Sequence, residues 1–118
     1  AFYQKQTAQL FSKNRFIAAQ FYALLKNDLW LRMATHANQM AVFLAESVAG
    51  LPGVTITQKV DANALFVIIP PHAVEALRAK YRFYTWSEDT GELRWMCSFD
   101  TTREDVMDFV ETLKSLII

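Results

Sequence analysis

Arg94 is the residue in this chain most readily given a chemical task. It lies in the run Leu93-Arg-Trp-Met-Cys-Ser-Phe99. On extended backbone, Leu93, Trp95, Cys97 and Phe99 would point to one side and Arg94, Met96 and Ser98 to the other. A guanidinium carried on a strand has a fixed origin, and its planar fork of donors matches a carboxylate or a phosphate through two charge-assisted hydrogen bonds. The same spacing suits a solvated arginine on the open face of an antiparallel sheet, or one paired with a neighbouring acid. Spacing alone leaves these alternatives open. His36 follows Arg32 by one helical turn and has no second His, Cys or acid at ligand spacing. It reads as a hydrogen-bonded residue at the flank of a helix, not as a metal ligand or a base. His72 belongs to a different expected helix and has no nucleophile beside it. Cys97, the single cysteine, sits in an apolar alternation and is expected to be packing; it can form no internal disulfide, which fits a reducing compartment. The chain has no glycine-rich phosphate loop, Cys-x-x-Cys pair, nucleophile elbow or catalytic acid dyad. No metal site and no complete set of catalytic residues is therefore expected.

The elements that would position Arg94 can be read from punctuation and period. Residues 1–12 are weakly patterned, helical or irregular. From Ser12 or Asn14 to about Lys26 good helix formers dominate, and between Phe16 and Leu25 only Gln20 is polar. A helix apolar on nearly every side requires cover on nearly every side, more than the rest of this chain supplies. Asp28 is a plausible cap for a second helix running to about Val48, whose stripe is Trp30, Met33, Ala34, Ala37, Met40, Ala41, Leu44 and Val48. Gly50, Pro52 and Gly53 end it. A short alternating strand over 54–58 follows, then an apolar strand over 64–69 that reads as central and covered on both faces. Pro71 suits the first turn of a helix to Tyr81. A strand over 82–86, a turn with Gly91 available for positive φ, and the Arg94 strand form a hairpin. Thr101 or Thr102 caps the last helix, and Thr101 with Glu104 has capping-box spacing. Val106, Phe109, Val110, Leu113, Leu116 and Ile117 make its apolar face. The expected fold class is α+β: two N-terminal helices followed by ββαββα, with a mostly antiparallel sheet.

The 118 residues suit one core-bearing domain. Lys plus Arg equals Asp plus Glu at 12 each, so no net field draws nucleic acid or an anionic membrane. No apolar run reaches bilayer length and no cleavable leader opens the chain, so a soluble, cytoplasmic protein is expected. A content of 53% hydrophobic and 20% charged residues is apolar for so small a domain and points to a neighbour that covers it. The chain opens mid-pattern at Ala-Phe-Tyr-Gln-Lys5 and is expected to be a piece of a longer protein.

The order and spacing of several blocks resemble the C-terminal small domain of the threonine aldolase and β-eliminating lyase family, pyridoxal-phosphate enzymes of fold type I. Ser12-Lys-Asn-Arg-Phe-Ile-Ala-Ala-Gln-Phe21 looks like the segment leading out of that family's large domain, with Asn14 where methionine is common. Asp28-Leu-Trp-Leu-Arg32 and His36-Ala-Asn-Gln-Met-Ala41 resemble its next helix, Ala62-Asn-Ala-Leu-Phe66 its central strand, and Leu93 to Val106 its closing strand and helix. The resemblance implies a linking segment and helix over 1–27 and the small domain over 28–118. It implies a lyase that cleaves a β-hydroxy amino acid such as threonine to glycine and an aldehyde. By the same resemblance Arg94 takes the position of the arginine that grips the substrate carboxylate, which favours the functional reading over the solvated one. Lys5 and Gln6 match a basic-Gln pair of the family without a firm role. Pyridoxal phosphate would be held mainly by a large domain of the same polypeptide. Its Schiff-base lysine would lie upstream, not at Lys5, Lys13, Lys26, Lys59, Lys80 or Lys114, so no catalytic residue is assigned to this chain and the chain alone is expected to be inactive. A homo-oligomer, dimer or tetramer, is the implied assembly. The alternative is a non-enzymatic α+β module that binds a small ligand or a partner through its sheet.

Overall fold

The computed structural model describes residues 2–7 and 12–117. They fall into two compact units, Ala1–Arg32 and Met33–Ile118, and the division runs through one long helix.

In the first unit the weakly patterned opening gives a short helix α1, Phe2–Gln6; positions 8–11 lie outside the described residues. Helix α2, Asn14–Leu25, contains no buried residue. Phe16, Phe21, Tyr22 and Leu25 are all exposed along it. A single tight turn, Lys26–Asp28, separates it from helix α3, Leu29–Val48. Here Asp28 departs from the expected cap. Asn27 and Asp28 hold φ of 55° and 54°, the left-handed region that Asn and Asp tolerate best after glycine. An N-cap residue is normally extended so that its side chain can reach back over the first turn, and Asp28 at φ 54° is not extended.

In the second unit, α3 from Met33 onward turns Ala37, Met40, Ala41, Leu44 and Val48 inward, the three- and four-residue stripe visible in the sequence. Four strands follow: β1 Thr55–Ile56, β2 Ala64–Ile68, β3 Tyr84–Ser87 and β4 Glu92–Met96, with helix α4, Pro71–Lys80, between β2 and β3 and helix α5, Arg103–Ile117, at the end. The sheet order is β1-β2-β4-β3, antiparallel at every pairing. Leu65, Val67 and Ile69 of the β2 segment and Leu93, Trp95 and Cys97 of the β4 segment meet Ala73 and Leu77 of α4, Val106, Val110 and Leu113 of α5, and the α3 stripe in one core. All three helices therefore lie on one face of the sheet.

Several boundaries differ from expectation for local reasons. β1 is shorter than 54–58, although the Thr57 N–H still donates to the Phe66 carbonyl at 3.0 Å. β3 starts at Tyr84 rather than Arg82, because Phe83 packs against the core edge-on to Trp95. Phe99 lies beyond the end of β4 and is exposed, not on the core side. β2 is covered fully on one face only, since Phe66 and Ile68 are half-buried while Leu65 and Val67 are sealed. Among the described residues no helix is long and apolar enough to cross a membrane.

Of the two expected caps of α5 Thr102 is the one used, and the capping box is Thr102 with Asp105, not Thr101 with Glu104. Thr102 Oγ1 accepts from the Asp105 N–H at 3.1 Å and Asp105 Oδ2 accepts from the Thr102 N–H at 2.8 Å, a reciprocal capping box. Thr101 Oγ1 instead accepts from the Ser98 N–H at 2.8 Å. The Thr102 backbone bond, followed by its hydroxyl, holds the Asp105 carboxyl below the usual carboxylate range. With the folded value depressed, the cap contributes in full above the ordinary carboxylate pKa and fades as pH falls through the folded one. Thr102→Ala is expected to cost about 1 kcal/mol in urea melts at neutral pH, a difference that shrinks in acid. An undiminished difference at acid pH would assign the loss to something other than this cap.

Candidate functional site: an unpaired arginine on the open sheet face

The face of the sheet away from the helices carries Arg94. Register places Phe66 of β2 and Tyr84 of β3 directly opposite it on either side, so Arg94 stands in the middle of the sheet. Its guanidinium carbon lies 5.4 Å from the centre of the Trp86 ring. Trp86 in turn meets Phe66 edge to face, with centroids 5.3 Å apart. Two neighbouring strands thus contribute one aromatic ring each beside the charge, Trp86 against the guanidinium and Phe66 against Trp86. Arg94 Nε is buried and has no hydrogen-bond partner.

Among the described residues no acid pairs with Arg94. Glu92, two residues earlier on the same face, has its Oε1 occupied by the Thr57 hydroxyl and, at 3.3 Å, by Gln58 Nε2. The ion pairs among the described residues are Lys59–Asp61, Arg78–Glu75, Lys80–Asp108 and Lys114–Glu111, and Arg94 is in none of them. A half-buried cation without a counter-charge is costly, and an incoming carboxylate would relieve that cost through the fork of donors the guanidinium presents.

The other candidates have structural occupations. His36 Nε2 donates to the Thr101 carbonyl at 2.7 Å, fastening α3 to the segment that enters α5. His72 Nε2 donates to the Leu116 carbonyl at 3.1 Å, fastening α4 to the end of α5. Cys97 is buried, and burial pushes its thiol up, away from the reactive thiolate. Lys5 and Gln6 are exposed at the end of α1 in the first unit. No group of His, Cys, Asp and Glu among the described residues could hold a metal ion. A depression of about 380 Å³ on the helix side is lined by Leu44, Phe83, Trp95 and Phe109 and by Asp105, whose Oδ2 is engaged in the α5 cap; Arg94 does not line it.

No protein-family model matches the chain. Curated proteins do. A low specificity L-threonine aldolase from Pseudomonas aeruginosa is 46% identical over 111 residues, 93% of this chain and 32% of that protein. The chain is homologous to part of a threonine aldolase. A second low specificity L-threonine aldolase, from a Pseudomonas species, is 41% identical over 114 residues, 96% of this chain and 33% of that protein. The chain spans about a third of the length of the curated relatives it matches. Among solved structures, the threonine aldolase of Leishmania major superposes with a TM-score of 0.73 at 27% identity, covering 84% of this chain and 30% of that one. The α+β fold with its antiparallel sheet is thus one that a threonine aldolase contains.

Sequence reading singled out Arg94 and missed its frame. Phe66 looked like core because β2 is apolar throughout, and Trp86 looked like an ordinary strand residue. A regular count across the hairpin turn puts Thr85 opposite Arg94, and only the register shift between Thr85 and Ser87 brings Tyr84 there.

Proposed function

We propose that this chain is the small-domain part of a pyridoxal-phosphate-dependent lyase of the threonine aldolase kind, cleaving a β-hydroxy amino acid to glycine and an aldehyde, and that Arg94 holds the substrate carboxylate. The observation that carries the proposal is a half-buried arginine, unpaired and framed by aromatic rings on a rigid sheet, in a chain 46% identical to part of an aldolase. A strand-borne fork fixes the carboxylate end of a small substrate, and holding one end in a defined direction lets the rest of the site act on the bonds at the α-carbon.

The described residues do not themselves fit the cofactor. In the second unit, Lys59 and Lys80 are engaged with Asp61 and Asp108, and Lys114 with Glu111. Gly50, Gly53 and Gly91 serve turns with positive φ, not a phosphate-binding loop. Pyridoxal phosphate, an electron sink when bound, is in this reading held by the remainder of a longer polypeptide, which also covers the apolar side chains of α2. Association of the whole protein as a homo-oligomer and residence in the cytoplasm belong to the same proposal.

The test is twofold. The complete protein loaded with pyridoxal phosphate is expected to release glycine and acetaldehyde from threonine. The 118-residue chain, incubated with the cofactor and reduced with borohydride, is expected to show no lyase activity and no stoichiometric label on a single lysine. A unique labelled lysine within the chain would relocate the active site and overturn the assignment of roles.

A further inference from the structure

We infer that Trp86 is a positioning residue that aims Arg94; the inference rests on the carboxylate-binding role given to Arg94 above. A strand fixes where an arginine starts but not where it ends. Its long side chain keeps rotamer freedom that a ligand would otherwise have to freeze. Ion pairing is the usual way to hold such a chain, and Arg94 has none. What it has is the Trp86 ring at 5.4 Å, a distance at which the ring face attracts a guanidinium without consuming its in-plane donors.

The backbone bears the mark of this arrangement. Thr85 is opposite Leu93 and Ser87 is opposite Glu92, so the register between β3 and β4 shifts at Trp86. Trp86 is the extra residue of a β-bulge, which leaves it on the open face with Tyr84 while Ser87 takes the place opposite Glu92. That side chain is not recruited to the core, for Trp86 remains 55% exposed. Its ring lies against two neighbours on the open face, Arg94 and the edge-on Phe66. Phe66 is also the residue directly across from Arg94 on β2, so ring and charge are braced from the same strand.

The experiment compares two probes in the complete, cofactor-loaded protein: glycine, and glycinamide, which lacks the carboxylate. Calorimetry gives the affinity for each in wild type, Trp86→Leu, Trp86→Phe and Arg94→Ala. Trp86→Leu is expected to reduce the preference for glycine about tenfold, and Trp86→Phe, which keeps a ring face, by no more than about threefold. Binding of glycinamide should stay near wild type in both, and Arg94→Ala should remove the preference. A wild-type preference in Trp86→Leu, or equal weakening of both probes, would overturn the positioning role. A preference that survives Arg94→Ala would overturn the carboxylate assignment beneath it, so the two failures are told apart.

Discussion

Arg94→Ala in the complete protein is expected to lower kcat/KM for threonine by about 30-fold to several-thousand-fold, the equivalent of about 2 to 5 kcal/mol for removing one partner of a desolvated charge pair. The size follows from the surroundings. Arg94 is half-buried, has an orphaned Nε and is in no ion pair among the described residues, so a bound carboxylate would be its counter-charge. Arg94→Lys keeps the charge but loses the planar fork and the stack on Trp86, and should fall between wild type and alanine. Cofactor absorbance should be little changed in either variant, because the described residues offer the cofactor no cradle. A solvated surface arginine would give a different pattern: near-normal kinetics, and stability within about 0.5 kcal/mol of wild type. Steady-state kinetics of the three proteins, with thermal melts as folding controls, decides between them. Undiminished kcat/KM in Arg94→Ala would strip this chain of its substrate-binding residue.

What was legible in the sequence was what depends on period and punctuation. The α3 stripe, the proline start of α4, the positive φ of 70° at Gly91 and the apolar face of α5 each follow from local rules, and together they yield the α+β order. The residues misread are those whose role is set across strands. Phe66 is as apolar as Leu65 and Val67, yet its register puts it beside Arg94 instead of in the core, and an apolar run cannot announce which of its faces is roofed. Trp86 sits in a bulge that exists only in the pairing of β3 with β4. The capping box of α5 fell to Thr102 with Asp105 and not Thr101 with Glu104, because two threonines with two acids satisfy the same spacing. Asp28 failed as a cap because the chain spends it on a left-handed turn after Asn27. Arg94 itself was visible as a type and a position, and its isolation from any acid was not, since Glu92 could have reached it had Thr57 and Gln58 not claimed it.

The strand that presents Arg94 is anchored by its neighbour, and Trp95→Ala is expected to destabilise the chain by about 3 to 5 kcal/mol, the range for emptying a large aromatic site. Trp95 is 3% exposed. It packs edge to face on Phe109 of α5 at 4.7 Å and on Phe83 at 6.3 Å, so its ring connects the sheet to a helix and to the segment entering β3. Removing it leaves a cavity beneath β4, which the close-packed side chains of α5 can only partly fill. Small domains are stable by only about 5 to 15 kcal/mol, so the variant should be near the edge of folding. Trp95→Phe should lie closer to wild type than to alanine, because most of the ring contact survives and the buried indole nitrogen, which has no hydrogen-bond partner, carries no bond to lose. Trp86→Ala, on the open face, serves as the contrast and should shift stability far less while disturbing ligand binding. Urea denaturation of the four proteins measures this directly, with the midpoint falling and the slope unchanged if only stability is altered. A loss below about 1 kcal/mol in Trp95→Ala, at unchanged slope, would mean that the ring is not the core anchor of β4 and that other contacts hold the strand that presents Arg94.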